Sequence, residues 1–399
     1  MKKRYIIIGG SAAGMSAAKK VAELDKEAEV VCISKETCCT YNKCKLAKLL
    51  SGRISTDDLC VFSAQEAQGD SIDARLGVTV QKILSDNKSV MLTTGEQLAY
   101  DKLFIATGSL PITPLVAGVE RFSQKSGLFH FHTLADVNAM LNFIEIEKPK
   151  TAVVVGAGMT GLECAGALSR LGIKVFVVER AEQLLPGCID KVGSQKLIDR
   201  MNTQGVTFCA REELIEILGN ENISEVALRS GKVLPADMLV FAVGVRPNVQ
   251  LAQNAEIDVC EQGIIVDEYM QTSKEDIYAG GDVIAVKDAI SGKTVRSYLW
   301  PDACMQGIVA AHAMVGHPRP YPGIYPVAVS KLWDMLVAFC GPVSDASRGY
   351  QEIVQQGADF YKKILLQDGF VRGFLLMGDI SDIGILKNCI VNGQKLDSI

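Results

Sequence analysis

Thr151-Ala152-Val153-Val154-Val155-Gly156-Ala157-Gly158-Met159-Thr160-Gly161 decides the fold of this 399-residue chain. A β-branched run enters a full G-x-G-x-x-G loop, and a helix rich in small residues follows to Arg170, ended by Gly172. Lys174-Val175-Phe176-Val177-Val178 is a second apolar strand, and Glu179 closes it 18 residues after Gly161. Strand, glycine loop, helix, strand and terminal acid in this register define a dinucleotide-binding βαβ unit. The glycines permit a tight turn and let a pyrophosphate approach the helix N-terminus, where free N–H groups and the helix dipole favour anions. A carboxylate at Glu179 suits the adenosine 2′-hydroxyl and repels a 2′-phosphate, so NADH is favoured over NADPH, with Arg180 next door as the opposing charge.

The same design opens the chain. Tyr5-Ile6-Ile7-Ile8 is a run suited to a strand buried on both faces. Gly9-Gly10-Ser11-Ala12-Ala13-Gly14 follows, then a helix expected over Met15 to Leu24 and a strand at Glu29–Ile33. Ser11 replaces the middle glycine, but it is small enough for a phosphate to approach. The start of the chain has the charged and apolar parts of a secretory signal, but Gly9-Gly10 interrupts the run and Lys19-Lys20 follow, so it reads better as strand, turn and helix.

Two dinucleotide folds in one chain suggest a flavin in one and a nicotinamide in the other. Three further strand-to-turn junctions fit that division: Tyr100–Gly108 ending in Ala106-Thr107-Gly108, Leu239–Asn248 with its turn at Gly244, and Asp276–Val283 ending in Gly280-Gly281-Asp282.

Composition excludes several other classes. Hydrophobic residues make up 48% and charged residues 22%, which is globular rather than disordered. Forty-one Lys and Arg against 46 Asp and Glu leave a net charge of −5, without the basic footprint of a nucleic-acid binder. The 12 Cys are irregularly spaced and several sit in apolar runs, as reduced core thiols do, so a reducing, cytoplasmic compartment is expected. No stretch is long and uncharged enough to span a bilayer.

Together these segments resemble the FAD-dependent pyridine nucleotide–disulfide oxidoreductase superfamily over essentially the whole chain. Tyr41-Asn42-Lys43 with Leu46-Ala47-Lys48, and Leu299–Ala303 with Gln306-Gly307, look most like NADH:rubredoxin reductases and the flavin module of nitrite reductase large subunits. The resemblance implies an α/β chain with two Rossmann-like domains and a small C-terminal α/β domain. The expected division is 1–112 and 247–320 for FAD, 113–246 inserted for NADH, and 321–399 at the C-terminus. It implies FAD contacts from Gly9, Gly10, Ser11, Ala12, Ala13, Gly14, Lys43, Lys48, Ala106, Thr107, Gly108, Gly281, Asp282 and Trp300. It implies NAD contacts from Gly156, Gly158, Met159, Thr160, Gly161, Glu179 and Gly244. The acid that usually holds the FAD ribose is missing from its position, where Ile33-Ser34-Lys35-Glu36 stands, and Glu36 is the nearest carboxylate. In the resembled reductases the residues matching Lys48 and Glu163 form an ion pair beside the flavin. Lys48 would then stabilise negative charge on the reduced flavin, with Glu163 holding the lysine.

Cys44 divides the hypotheses. It matches the redox cysteine of single-cysteine NADH oxidases, peroxidases and coenzyme A–disulfide reductases. It would start a short helix through Leu50, with Lys43, Lys45 and Lys48 favouring a thiolate. Against this, Ala12 stands where the peroxidase-type proteins carry a His, and the chain is shorter at its C-terminus than the coenzyme A–disulfide reductases. The leading expectation is an NADH oxidoreductase, a monomer or homodimer, passing electrons to a small redox protein such as rubredoxin. The alternatives are a Cys44-dependent oxidase or disulfide reductase, and a non-catalytic flavoprotein subunit that senses NADH. Cys38 and Cys39 lack the partners of a four-ligand metal site. His130 and His132 alternate near an expected strand, Leu128–Phe131, without a third ligand, so no metal is expected.

Overall fold

The computed structural model describes residues 2–38, 40–344 and 349–396. By contact the chain forms two units. One contains the residues up to Cys44, Thr56–Leu110 and Arg246–Pro326; the other contains Lys45–Ser55, Pro111–Val245 and the residues from Val327 on. The mixed α/β class is the one expected.

The first unit is organised by a five-stranded parallel sheet in the order Ile277–Ala279, Lys102–Ile105, Arg4–Ile8, Glu29–Ser34, Ile72–Leu76. Tyr5, Ile6 and Ile7 are fully buried, as a β-branched central strand covered on both faces should be. Ile8 stands opposite Ile105, and Ile105 opposite Ala279, so these three strands end level, with Glu29–Ser34 running one residue further. That register brings three sequence-distant turns, at Gly9, Ala106 and Gly280, to the C-terminal end of one parallel sheet. The first helix runs Ala12–Leu24, three residues earlier than expected. Ser11 takes the extended cap conformation, and Ala12, Ala13 and Gly14 pack inward as its first turn. A second helix, Trp300–Met314, begins with Pro in its first turn, where the missing N–H costs no helical hydrogen bond.

The second unit repeats the parallel sheet, in the order Leu128–His130, Met238–Phe241, Thr151–Val155, Lys174–Glu179, Val206–Ala210. Val153, Val154, Val175 and Val177 are fully buried, and the helix Met159–Arg170 follows the glycine loop. From Val327 the chain forms a five-stranded antiparallel sheet, Ala328–Leu332, Met335–Cys340, Phe370–Met377, Tyr361–Gln367 and Gln351–Gln356, followed by the helix Ile383–Asn392. This sheet is anchored on the nucleotide fold by Lys363, which is 4% exposed and lies 3.4 Å from Asp190 and 3.0 Å from Glu352. A buried ammonium needs such compensation to stay charged. Asp190 also accepts the Tyr361 hydroxyl at 2.7 Å and caps the helix Lys191–Asn202 through the Gly193 N–H.

Candidate functional site

The first and last glycines of the two loops play matching roles. Gly9 (φ +110°) and Gly156 (φ +108°) both use the left-handed conformation, and a Cβ there would meet the carbonyl oxygens of Ala106 at 2.1 Å and Ala242 at 2.4 Å. Gly14 and Gly161 pack onto the first glycine of their own loop, with Cβ positions 1.7 Å and 2.1 Å from its carbonyl oxygen. Gly158 differs: a Cβ there would meet nothing within 4 Å. The middle position of the loop therefore opens onto free space at the helix N-terminus. The helices starting at Ala12 and Met159 have no side-chain hydrogen bond at their caps, Ser11 and Gly158. The open approach at Gly158 and a helix N-terminus without a side-chain cap fit a dinucleotide pyrophosphate at the second loop, and the uncapped helix at Ser11 offers free N–H groups at the first. Met159 and Thr160 form the first turn of the helix Met159–Arg170.

In the second unit Glu179 ends its strand and turns back over the loop. One carboxylate oxygen accepts the Ala157 N–H and the other the Ala181 N–H, both at 2.9 Å. Each oxygen retains acceptor capacity for a ribose hydroxyl. Arg180 is exposed, and Gly244 lies in the turn just past the neighbouring strand Met238–Phe241.

In the first unit the turn at Ala106-Thr107-Gly108 is locked to Asn248. The Thr107 hydroxyl donates to the Asn248 carbonyl and the Asn248 N–H donates to the Gly108 carbonyl, both at 2.9 Å. Asp282 accepts the Ser109 hydroxyl at 2.9 Å; burial pushes its pKa up, opposed by that bond and by the charge of Lys43. Gln306, fully buried, accepts the Gly281 N–H at 2.8 Å and so fixes the Gly280–Asp282 turn from the helix Trp300–Met314. Trp300 is half-buried at the start of that helix. Glu36 accepts the Tyr41 hydroxyl at 2.7 Å and lies 3.6 Å from the Lys43 ammonium. By strand register Ser34, not Glu36, occupies the place that Glu179 holds in the second fold. Thr40 donates to the Gly10 carbonyl at 2.6 Å, tying the segment before Tyr41 to the loop.

Cys44 is exposed, in a 3-10 turn Lys43–Lys45 that precedes the helix Leu46–Leu50 rather than starting it. Its N–H donates to the Asn42 side chain at 3.0 Å. The Lys48 and Glu163 arrangement departs from a buried ion pair. Lys48 is exposed, and the direct partner of Glu163 is the hydroxyl of Ser330, at 2.6 Å. Burial raises the Glu163 pKa, while the Ser330 bond and the charge of Lys48 pull it down. Asn248 ends one of the quoted junctions and Ser109 adjoins another, but Ser330 carries no local signal in the sequence.

The histidine pair is also corrected. The strand ends at His130, so His132 does not share it; its N–H faces Asp136, which closes the capping box of the helix Leu134–Glu147. His130 meets the Thr113 hydroxyl at 3.0 Å, and burial lowers its pKa. Cys38 is half-buried and Cys39 lies outside the described residues. Among the described residues no three His, Cys, Asp or Glu side chains converge to hold a metal ion, and no helix is long and apolar enough to cross a membrane.

Residues 3–307 match the pyridine nucleotide-disulphide oxidoreductase family, and the chain belongs to it, with FAD and NAD(H) as cofactors. An assimilatory nitrate reductase electron transfer subunit from Bacillus subtilis is 31% identical over 96% of this chain. The chain spans about half that relative's length, 48%. The reduced Bacillus anthracis CoADR-RHD structure superposes with a TM-score of 0.93 at 27% identity, covering 99% of this chain and 75% of that one. The NADH:rubredoxin oxidoreductase structure from Clostridium acetobutylicum gives a TM-score of 0.81 at 25% identity, covering 100% of this chain and 97% of that one.

Proposed function

We propose that this chain is an FAD-dependent NADH oxidoreductase that passes electrons to a small redox protein of the rubredoxin type, in a reducing cytoplasmic setting. When bound, FAD supplies the two-electron to one-electron conversion that such a relay requires. The observation that carries the acceptor class is the near end-to-end match to a rubredoxin oxidoreductase of almost the same length. The relative named as an electron transfer subunit supports the same reading. The work of this chain's residues is binding and charge placement. The loop Gly156–Gly161 seats the NADH pyrophosphate, Glu179 holds the adenosine ribose, and the turns at Thr107 and Asp282 hold the flavin. Lys48 supplies positive charge where negative charge develops.

Coenzyme choice follows from Glu179. Its carboxylate faces a hydroxyl in NADH and a phosphate dianion in NADPH, so Glu179→Ala should narrow the NADH preference by roughly 1–3 kcal/mol. The measurement is the ratio of kcat/KM for the two coenzymes. Equal use of both by the unmodified protein would remove the argument.

The exposed thiol of Cys44 supports a second reading, a thiol-dependent oxidase or disulfide reductase. Cys44→Ser separates the two. In an electron relay no bond to sulfur forms, so rubredoxin reduction should stay within a few-fold. In a thiol-dependent enzyme serine cannot replace the thiolate at neutral pH, and turnover with a disulfide or oxygen should fall by orders of magnitude. Turnover with the natural acceptor abolished in Cys44→Ser, with flavin content intact, would overturn the relay.

A further inference from the structure

We propose that Ser330 is a positioning residue of the reductase: its hydroxyl, 2.6 Å from the Glu163 carboxylate, keeps that carboxylate ionised and aimed, so that Glu163 can hold the Lys48 charge in place. The inference rests on the role given to Lys48 and Glu163 above, and it assigns part of the C-terminal sheet to the chemistry.

The placement of Ser330 is built rather than incidental. The hairpin of strands Ala328–Leu332 and Met335–Cys340 turns at Trp333 and Asp334, both at positive φ (44° and 68°). It lies along the helix Met159–Arg170 and touches it at successive turns. Ser330 bonds Glu163, the buried Trp333 ring packs over Gly166, and Asp334 pairs with Arg170 at 3.2 Å. Residues 163, 166 and 170 are spaced three and four apart, which puts them on one face of the helix. Along the strand Ala328, Ser330 and Leu332 are the more buried residues and Val329 and Lys331 the exposed ones. Ser330 is therefore an inward position that carries a hydroxyl, aimed at a carboxylate.

A carboxylate losing its water needs a donor to remain charged. Glu163 receives one from Ser330, and Lys48 is the cation whose field reaches it; Cys164, the neighbouring buried thiol, is neutral because burial raises its pKa. Hydrogen bonds to charged groups are strong enough that removing this one should shift the Glu163 titration upward by about one to two pH units. The sign follows from the donor: the hydroxyl favours the ionised form, so its loss favours the protonated one.

The experiment has two readouts. The first is direct titration of the Glu163 carboxylate by NMR in protein labelled with 13C-glutamate, its signal assigned by its absence in Glu163→Gln. The second is the pH profile of flavin reduction at saturating NADH. Ser330→Ala should raise the Glu163 midpoint by at least one pH unit and move the ascending limb of the profile by the same amount. Ser330→Thr, which restores a hydroxyl, should bring both back. An unshifted midpoint in Ser330→Ala overturns the inference, as does a shift that threonine fails to reverse. If the midpoint shifts but Glu163→Gln and Lys48→Met reduce flavin at the native rate, the Lys48 role falls, and the positioning role of Ser330 falls with it. A native profile in Ser330→Ala beside slow Lys48→Met and Glu163→Gln variants would overturn the Ser330 inference alone.

Discussion

Gly158→Leu is expected to leave the fold and the bound flavin in place while weakening NADH binding by at least a hundredfold. The backbone at Gly158 is extended, with φ −74° and ψ 175°, a conformation any residue adopts. Its Cβ position points into open space, so the substitution costs the folded protein little. That same space is where a pyrophosphate must come to reach the N–H groups at the start of the helix Met159–Arg170, and a leucine side chain would fill it. Gly161→Ala is the informative contrast. There a Cβ lies 2.1 Å from the Gly156 carbonyl oxygen, so the loop and helix must separate, and stability should drop by on the order of 1–3 kcal/mol. Thermal unfolding with a titration of NADH against the flavin signal distinguishes the two. Native NADH affinity in Gly158→Leu would show that the coenzyme does not lie on this loop.

Both glycine loops were legible because the features that make them work are local: three small residues at fixed spacing between a strand and a helix. The internal repeat made the second copy a template for the first, and it showed that Ser11 takes the place of Gly158. What escaped sequence reading depends on distance along the chain or on solvent. Glu36 was the nearest carboxylate to the expected ribose position. Strand register shows that Ser34 stands level with Glu179, while Glu36 turns to Tyr41 and Lys43. The partner of Glu163 lies 167 residues downstream, on a strand whose alternating burial shows which face is inward but not what that face meets. The resemblance implies that Lys48 pairs with Glu163. A lysine in Leu46–Leu50 reads the same whether its ammonium reaches water or a carboxylate, and only the packed structure shows it exposed.

That exposure sharpens the second large expectation, for Lys48→Met. Methionine keeps the unbranched length and the helix propensity of lysine, so the Leu46–Leu50 helix should persist and only the charge should be lost. If Lys48 stabilises negative charge that appears as hydride arrives, its contribution belongs to the transition state more than to bound NADH. The limiting rate of flavin reduction should then fall by about a hundredfold, while the NADH concentration giving half that rate changes by no more than a few-fold. Glu163→Gln should have the same direction with a smaller size, because the lysine keeps its charge and loses only a neighbour that orders it. A lysine in free solvent would give a different result: its charge is screened by salt and water, and its removal would leave the limiting rate unchanged at every ionic strength. Stopped-flow reduction at saturating NADH, repeated at low and high salt, separates these outcomes. A native limiting rate in Lys48→Met would return Lys48 to the solvent-facing surface of its helix and leave the transfer step to the nucleotide loops alone.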